Sequence, residues 1–380
     1  MLKQYKKTKL TKHGHHRTYQ VLKLRSEDGL NFYTITKKDQ EDILGKTLSL
    51  EIWPKEISFY KYISTFFAYS KILDISNAND TFSYIDKYIK NSHKDINATH
   101  IYQALYTAKA LPKELQEKFS YLGISHLVAI SGFHLGVLSA IIFFILKYPY
   151  IYLQQRYFPY RNYHIDIFLI VSFILGLYTI LLDYPPSLLR AYVMLIVGFI
   201  LYDRGYKLIS MQTLFVSVAV AVAITPSLLF TLGFYLSVAG VFYIFLFLIH
   251  FKHLSKVIQF ILIPFWVYLM MLPITLSIFH NFCILHPLSI LWSSLFSIFY
   301  PLSILLHTIN IGDRMDFILK YLLQLDIDMY KLKFDMVFVY IEIILSIISI
   351  YKRSILKLLL LYLFGIFIYF IYDITKFYPI

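Results

Sequence analysis

Leu228 to Ile249 reads LLFTLGFYLSVAGVFYIFLFLI, 22 residues without one charged side chain. At a rise of about 1.5 Å per residue, a helix of that length is about as long as the hydrocarbon core of a bilayer is thick. Comparable apolar runs lie at Ile165–Leu182, Leu208–Ile224 and Val257–Phe279. One such run can hide in a soluble core, but a succession of them cannot. The whole chain agrees: of 380 residues 58% are hydrophobic and 16% charged, against about 25% charged in soluble domains. A polytopic α-helical membrane protein follows.

Judged by the length needed to cross a bilayer, about nine transmembrane helices follow one another, near 124–146, 165–182, 187–202, 208–224, 228–249, 257–279, 283–306, 334–350 and 354–372. Lys and Arg accumulate on the cytoplasmic side of such helices. The loops after the first, third, fifth and seventh spans carry Lys147, Arg156 and Arg161, then Arg204 and Lys207, then Lys252 and Lys256, then Arg314, Lys320, Lys331 and Lys333. Those after the second, fourth and sixth carry none. The alternation puts the odd loops in the cytoplasm and the N-terminal region outside. Lys352, Arg353 and Lys357 break it, so either Pro287–Pro301 is not a single crossing or the last helices are miscounted.

Charge is concentrated in residues 1–120, with 20 Lys/Arg and 13 Asp/Glu; the other 260 residues hold 16 and 10. The first third can therefore be a soluble domain. A net charge of +13 suits an anionic partner, nucleic acid or lipid headgroups. Residues 1–18 read as a basic tail in which His13, His15 and His16 are solvated or hold a metal, and no apolar run makes them a signal peptide. Tyr19–Leu24, Phe32–Thr36 and Thr47–Trp53 are strand-like, the first two separated by the turn Ser26-Glu27-Asp28-Gly29. They predict a small β-barrel, or half of one, over 19–75. Tyr84, Ile85, Tyr88 and Ile89, then Ile101, Leu105 and Ala108, recur at helical spacing and make 76–122 an amphipathic helical linker, broken at Leu111-Pro112. A transmembrane domain over 123–372 and a short tail, 373–380, complete the chain. An exported N-terminal domain needs an export signal, and none precedes Thr18, so a leading transmembrane segment is expected upstream. The single cysteine, Cys283, excludes a disulfide framework and a zinc site of the paired-cysteine kind, and reads as a buried thiol.

Polar groups at membrane depth are costly and usually face a bundle interior or a wet path. They cluster twice. The first span contains His126, Ser131, Gly132 and His134; Ser131 and His134, three apart, share a helical face, and Gly132 can break the helix. The second cluster is Asp183-Tyr184-Pro185-Pro186-Ser187-Leu188-Leu189-Arg190-Ala191, at a mouth away from the cytoplasm. Arg190 there either meets a phosphate, or snorkels to headgroups or neutralises Asp183. The histidines either line a path or bond between helices.

His126-Leu-Val-Ala-Ile-Ser-Gly-Phe-His-Leu-Gly136 resembles the signature of the ComEC/Rec competence family of DNA-uptake proteins. Other segments arrive in that family's order. Pro186-Ser-Leu-Leu-Arg-Ala191 resembles its second block, and Leu232-Gly-Phe-Tyr-Leu-Ser237 its Gly-Phe-x-Leu-Ser segment. Pro273, Phe279, Asn281 and Pro287 resemble its later block. The resemblance implies an inner-membrane channel for single-stranded DNA, with His126, Ser131, Gly132, His134, Ser187, Arg190, Ser237 and Asn281 as lining candidates. It also implies an extracytoplasmic OB-like domain over the strand-rich 19–75. There Tyr19, Lys23, Arg25, Phe32, Tyr33, Lys37 and Lys38 are DNA-binding candidates, since bases stack on rings while cations track phosphates, although such rings also serve as barrel core. A periplasmic DNA-receptor protein and a cytoplasmic helicase or ATPase are the implied partners beside membrane lipid; homo-oligomerisation is left open.

Two features depart from the family pattern. Many members end in a metallo-β-lactamase-like domain, whereas no His-x-His-x-Asp-His set occurs here, and members usually begin with membrane helices. No nucleotide-binding motif such as GxxxxGK[ST] occurs either. The chain is thus expected to be no enzyme and to need no cofactor. Two other readings compete. An enzyme acting on a lipid-linked phosphate should show a cluster of acidic metal ligands within its spans; Asp183 stands near a mouth and Glu342 in the eighth span, with no pair at metal-ligand spacing. An ion-coupled transporter should show two similar halves, and none is evident.

Overall fold

The computed structural model describes residues 3–10, 16–26, 30–36, 47–54, 57–76, 83–182, 184–279, 281–282, 287–325, 330–331 and 335–377. His13, His15, Lys37, Lys38, Asp183 and Cys283, singled out above, lie outside them. The chain divides into two compact units, Met1–Tyr84 with Thr225–Thr231, and Ile85–Ile224 with Leu232–Ile380.

The first unit is a five-stranded sheet of β1 (Lys3–Leu10), β2 (His16–Arg25), β3 (Asn31–Thr36), β4 (Thr47–Pro54) and β5 (Phe66–Ser76), with a short helix α1 (Phe59–Ile63) before β5. The order is β1-β2-β3-β5-β4, antiparallel except for β3 beside β5. Part of the expected tail thus belongs to the sheet: Lys3–Leu10 pairs along β2, because a strand edge offers main-chain hydrogen bonds to any neighbouring extended segment. Side chains alternate between faces. Leu22, Leu24, Phe32, Phe66 and Ala68 form the buried face, where Phe32 stacks on Phe66 with ring centres 5.6 Å apart.

The second unit opens with α2 (Ser83–Ser92), α3 (Ile96–Thr107), α4 (Lys113–Tyr121) and α5 (Ser125–Val128). In α2 the buried positions are Asp86, Ile89 and, just past its end, His93, while Tyr84 and Ile85 are exposed. The apolar spacing misses this face because two of its members are polar. Ile101 and Leu105 of α3 are buried as expected; Ala108 instead ends that helix in the left-handed region, at φ 58°. Asp95 starts it, its side chain accepting from Asn97 N.

Among the described residues nine apolar helices overlap the expected segments: α6 (Gly132–Tyr157), α7 (Tyr163–Leu181), α8 (Pro186–Asp203), α9 (Met211–Ile224), α10 (Leu232–His250), α11 (Lys256–Phe279), α12 (Leu288–Thr308), α14 (Met336–Ser349) and α15 (Arg353–Phe377). The amphipathic α13 (Asp316–Gln324) sits between the seventh and eighth, and a two-residue strand pair joins β6 (Asn281–Phe282) to β7 (Tyr330–Lys331). Among the described residues five helices, α6, α7, α10, α11 and α12, are long and apolar enough to cross a membrane; α9 and α14, at 14 residues each, are shorter. After Pro287 at its N-cap, Leu288–Thr308 is one continuous helix that carries Pro301. Asp166 tolerates its place in α7 because Arg161 pairs with it at 2.6 Å and the Tyr150 hydroxyl donates to it. The apolar core lies where α3, α4 and α5 pack against α12 and α13, and again among α10, α11 and α15.

Candidate functional site

The three leading motif segments, up to 111 positions apart in sequence, meet in the second unit. The sequence reading makes 124–146 one span with Gly132 inside it. The structure corrects this: α5 stops at Val128, Ala129 and Ser131 are extended, and α6 starts at Gly132. Breaking a helix frees main-chain groups that must be satisfied. Here they are. The Ile130 carbonyl accepts from the Ser187 hydroxyl at 2.6 Å, and Ser131 N donates to His134 Nδ1 at 3.1 Å. The Ser131 hydroxyl lies 3.0 Å from the same nitrogen. Ser131 and His134 are therefore neighbours as the cap and third residue of α6, a capping-box arrangement with histidine in the usual place of Glu or Gln.

Gly132 lets the start of α6 approach α8: a Cβ there would stand 3.1 Å from that of Ala191. The first motif is thus bound to the second by a hydrogen bond and by a close contact. The third joins them through Arg190. Its guanidinium carbon lies 5.8 Å from the centre of the Phe234 ring, and a Cβ on Gly233 would stand 3.6 Å from its Nη1. Arg190 is only 5% exposed, and among the described residues its Nε has no hydrogen-bond partner. A guanidinium is costly to bury, and the aromatic face offsets part of that cost.

His134 is fully buried, with Tyr300 edge-on at 4.4 Å and Phe296 at 5.6 Å from its ring. Its Nε2 has no hydrogen-bond partner among the described residues. His126 is exposed and lies 3.4 Å from the Ser293 hydroxyl. Positions 293, 296 and 300 share one face of α12, so the signature runs along that helix. Ser237, half-buried, is three residues beyond Phe234 on α10. Asn281 lies in β6, opposite Lys331, and its side chain is outside the description. Sequence reasoning missed Phe234, Phe296 and Tyr300 as partners; the Gly-Phe segment was the one available signal, and nothing local marks the aromatics of α12.

In the first unit, Lys23 and Tyr33 are cross-strand partners, with the ammonium 5.5 Å from the ring centre. Tyr33 is paired with Phe67, and Tyr69, two residues on, with Trp53. By the two-residue period this row shares one face, and Phe67, Tyr69 and Trp53 are 42%, 53% and 48% exposed. Phe32 points the other way, into the core, at 3% exposure. Its DNA-binding assignment is thereby corrected by the alternation of the strand. Tyr19 and Arg25 lie on β2, their side chains outside the description.

No curated protein and no solved structure matches the chain. A family model described as "Competence protein" matches residues 106–375, which include all three converging motifs. The chain belongs to the competence protein family, of the ComEC/Rec type.

Proposed function

We propose that this chain is an inner-membrane conduit for single-stranded DNA entering the cytoplasm during natural transformation. The observation that carries it is Arg190, a desolvated guanidinium with no carboxylate paired to it among the described residues, held where three family motifs meet. An anion that reached it would gain a strong, charge-assisted contact. A phosphodiester backbone supplies such anions one after another. Phe296 and Tyr300 cover His134, so in this proposal passage requires α12 to move away from the signature.

In this proposal the N-terminal sheet lies outside the cytoplasm, an orientation that the alternation of loop charges supports. There the row Tyr33, Phe67, Tyr69 and Trp53, flanked by Lys23, suits stacked bases and a tracked backbone. Five strands in the non-sequential order β3-β5-β4 are compatible with a partly open Greek-key barrel of the OB kind. The proposal gives the chain no nuclease or ATPase step. A DNA-receptor protein would deliver the strand, a cytoplasmic helicase or ATPase would drive it, and a second copy could complete the path.

The test is a transformation assay in a strain lacking the native protein, scoring DNA outside and inside the cytoplasm separately. Arg190→Ala should lower cytoplasmic DNA by about 10- to 100-fold, the worth of one charged contact, while protein abundance and outside DNA stay unchanged. Arg190→Lys should recover part of it, since charge survives and the bidentate fork does not. Normal uptake by the alanine variant overturns the proposal.

A further inference from the structure

His93 follows α2, His307 lies in the last turn of α12 and Asp316 starts α13. They are separated by up to 223 positions and belong to none of the motifs above. Both histidines are buried, at 6% and 7% exposure. His93 Nδ1 lies 2.9 and 3.0 Å from the two carboxyl oxygens of Asp316. His93 Nε2 lies 2.9 Å from Nε2 of His307, and His307 Nδ1 lies 2.6 Å from the carbonyl oxygen of Ser303.

These distances set the number of protons. A carbonyl oxygen only accepts, so His307 Nδ1 carries a hydrogen, and a neutral ring then has a lone pair at Nε2. If His93 were also neutral and donated to an Asp316 carboxylate, two lone pairs would face each other at 2.9 Å. The contact is a hydrogen bond only when the chain of groups holds one more proton. The extra proton can make His93 an imidazolium against a carboxylate, make Asp316 a carboxylic acid while His93 donates through Nε2, or make His307 an imidazolium that donates to His93 Nε2. The three forms contain the same protons and differ by shifts along the two hydrogen bonds of His93. With that proton the group is neutral overall; without it a carboxylate charge is left beside two opposed lone pairs.

The surroundings hold the arrangement in place. His93 stacks on Tyr102 at 4.4 Å, and the Tyr88 hydroxyl donates to the main chain of His307. A Cβ at Gly312 would fall 2.6 Å from the His307 ring, so the turn before α13 closes tightly over it. The titratable and charged groups facing the site are Tyr88, Asp95, Tyr102, Tyr106 and Asp313. Burial, with smaller contributions from Asp313 and Asp95, pushes the Asp316 carboxyl above its ordinary range, against the hydrogen bond from His93.

We infer that Asp316, His93 and His307 form a proton-binding site that latches the helix pair α2–α3 to the end of α12 and the start of α13. With the proton bound the latch is closed. When it leaves, the His93–His307 bond is lost and the two segments separate. This holds whatever the chain transports.

The test uses the purified full chain in detergent, unfolded at a series of pH values. Above about pH 6.5 the histidines of the unfolded chain have given up their protons, while the folded site retains one. The folded state then binds more protons, so stability falls as pH rises and the unfolding constant should climb by up to tenfold per pH unit. Below about pH 6.5 both site histidines of the unfolded chain bind protons, two against the folded site's one, so the slope should reverse and stability should fall as pH falls. His93→Gln and Asp316→Asn should each flatten the slope, whereas His100→Gln, on α3 but outside the site, should keep it. A second readout does not depend on the variants folding well. Spin labels at Lys94→Cys and Arg314→Cys, in a Cys283→Ser chain, should move apart as pH rises. A slope that survives in both site variants, or a label distance constant between about pH 6 and 9, overturns the latch.

Discussion

Lys23 stands 5.5 Å from the ring centre of Tyr33, and Arg190 stands 5.8 Å from that of Phe234. The two pairs have nearly the same geometry in different media. Lys23 and Tyr33 are half-buried on a sheet whose neighbouring aromatics are exposed, where a cation over a ring is worth about 0.5–1 kcal/mol. Water does most of the work of stabilising that charge. Arg190 is buried among apolar helices, where the same contact is worth about 2 kcal/mol or more, and the desolvation it must offset is several times larger. A cation on the sheet is therefore one replaceable contact among several, while the buried one is a site in itself.

The contrast breaks most sharply if Arg190, which has no carboxylate paired with it among the described residues, is given a counter-charge. Phe234→Glu would place a carboxylate within its reach, and cytoplasmic DNA uptake should fall by about 100-fold or more, as a strongly charge-assisted contact is pre-empted. Protein abundance on immunoblots should hold, because the buried pair is better compensated than the lone cation. Uptake at the native level would mean that Arg190 meets no anion in transit.

A smaller effect is expected where the first motif is tied to the second. Ser187→Ala strands the Ile130 carbonyl, an acceptor left without its donor, and should cost about 1–3 kcal/mol of stability, read as a lowered melting temperature in detergent. The loss should be larger than for Ser237→Ala, a half-buried position on α10. Equal losses would show that the break is satisfied by other groups.

The smallest effect belongs to the exposed pair. Lys23→Ala should weaken binding of an oligo-dT strand to the purified chain by about two- to fivefold, equivalent to about 0.5–1 kcal/mol, with the sheet intact by circular dichroism. A loss as large as that expected for Arg190 would remove the distinction between the two media.

What was legible in the sequence was whatever a local pattern encodes. Long apolar runs gave the apolar helices, alternation gave β2, β3 and β4, and motif order gave the family, because hydropathy, side-chain period and motif spacing are properties of neighbouring residues. Alternation also suffices to turn Phe32 inward and Tyr33 outward once the register is known. The rest depended on residues far apart. That α6 begins at Gly132 rather than running through it is decided by Ser187, which supplies the donor that a broken backbone needs. That Arg190 stands over Phe234, and that His93 bonds to both His307 and Asp316, are decided by which helices pack together. No window of sequence contains both partners of such contacts, and a buried polar residue looks, to any hydropathy count, like a surface one. Tertiary packing alone decides which polar groups the interior can keep, since each must find its partner there or remain unpaired at full cost.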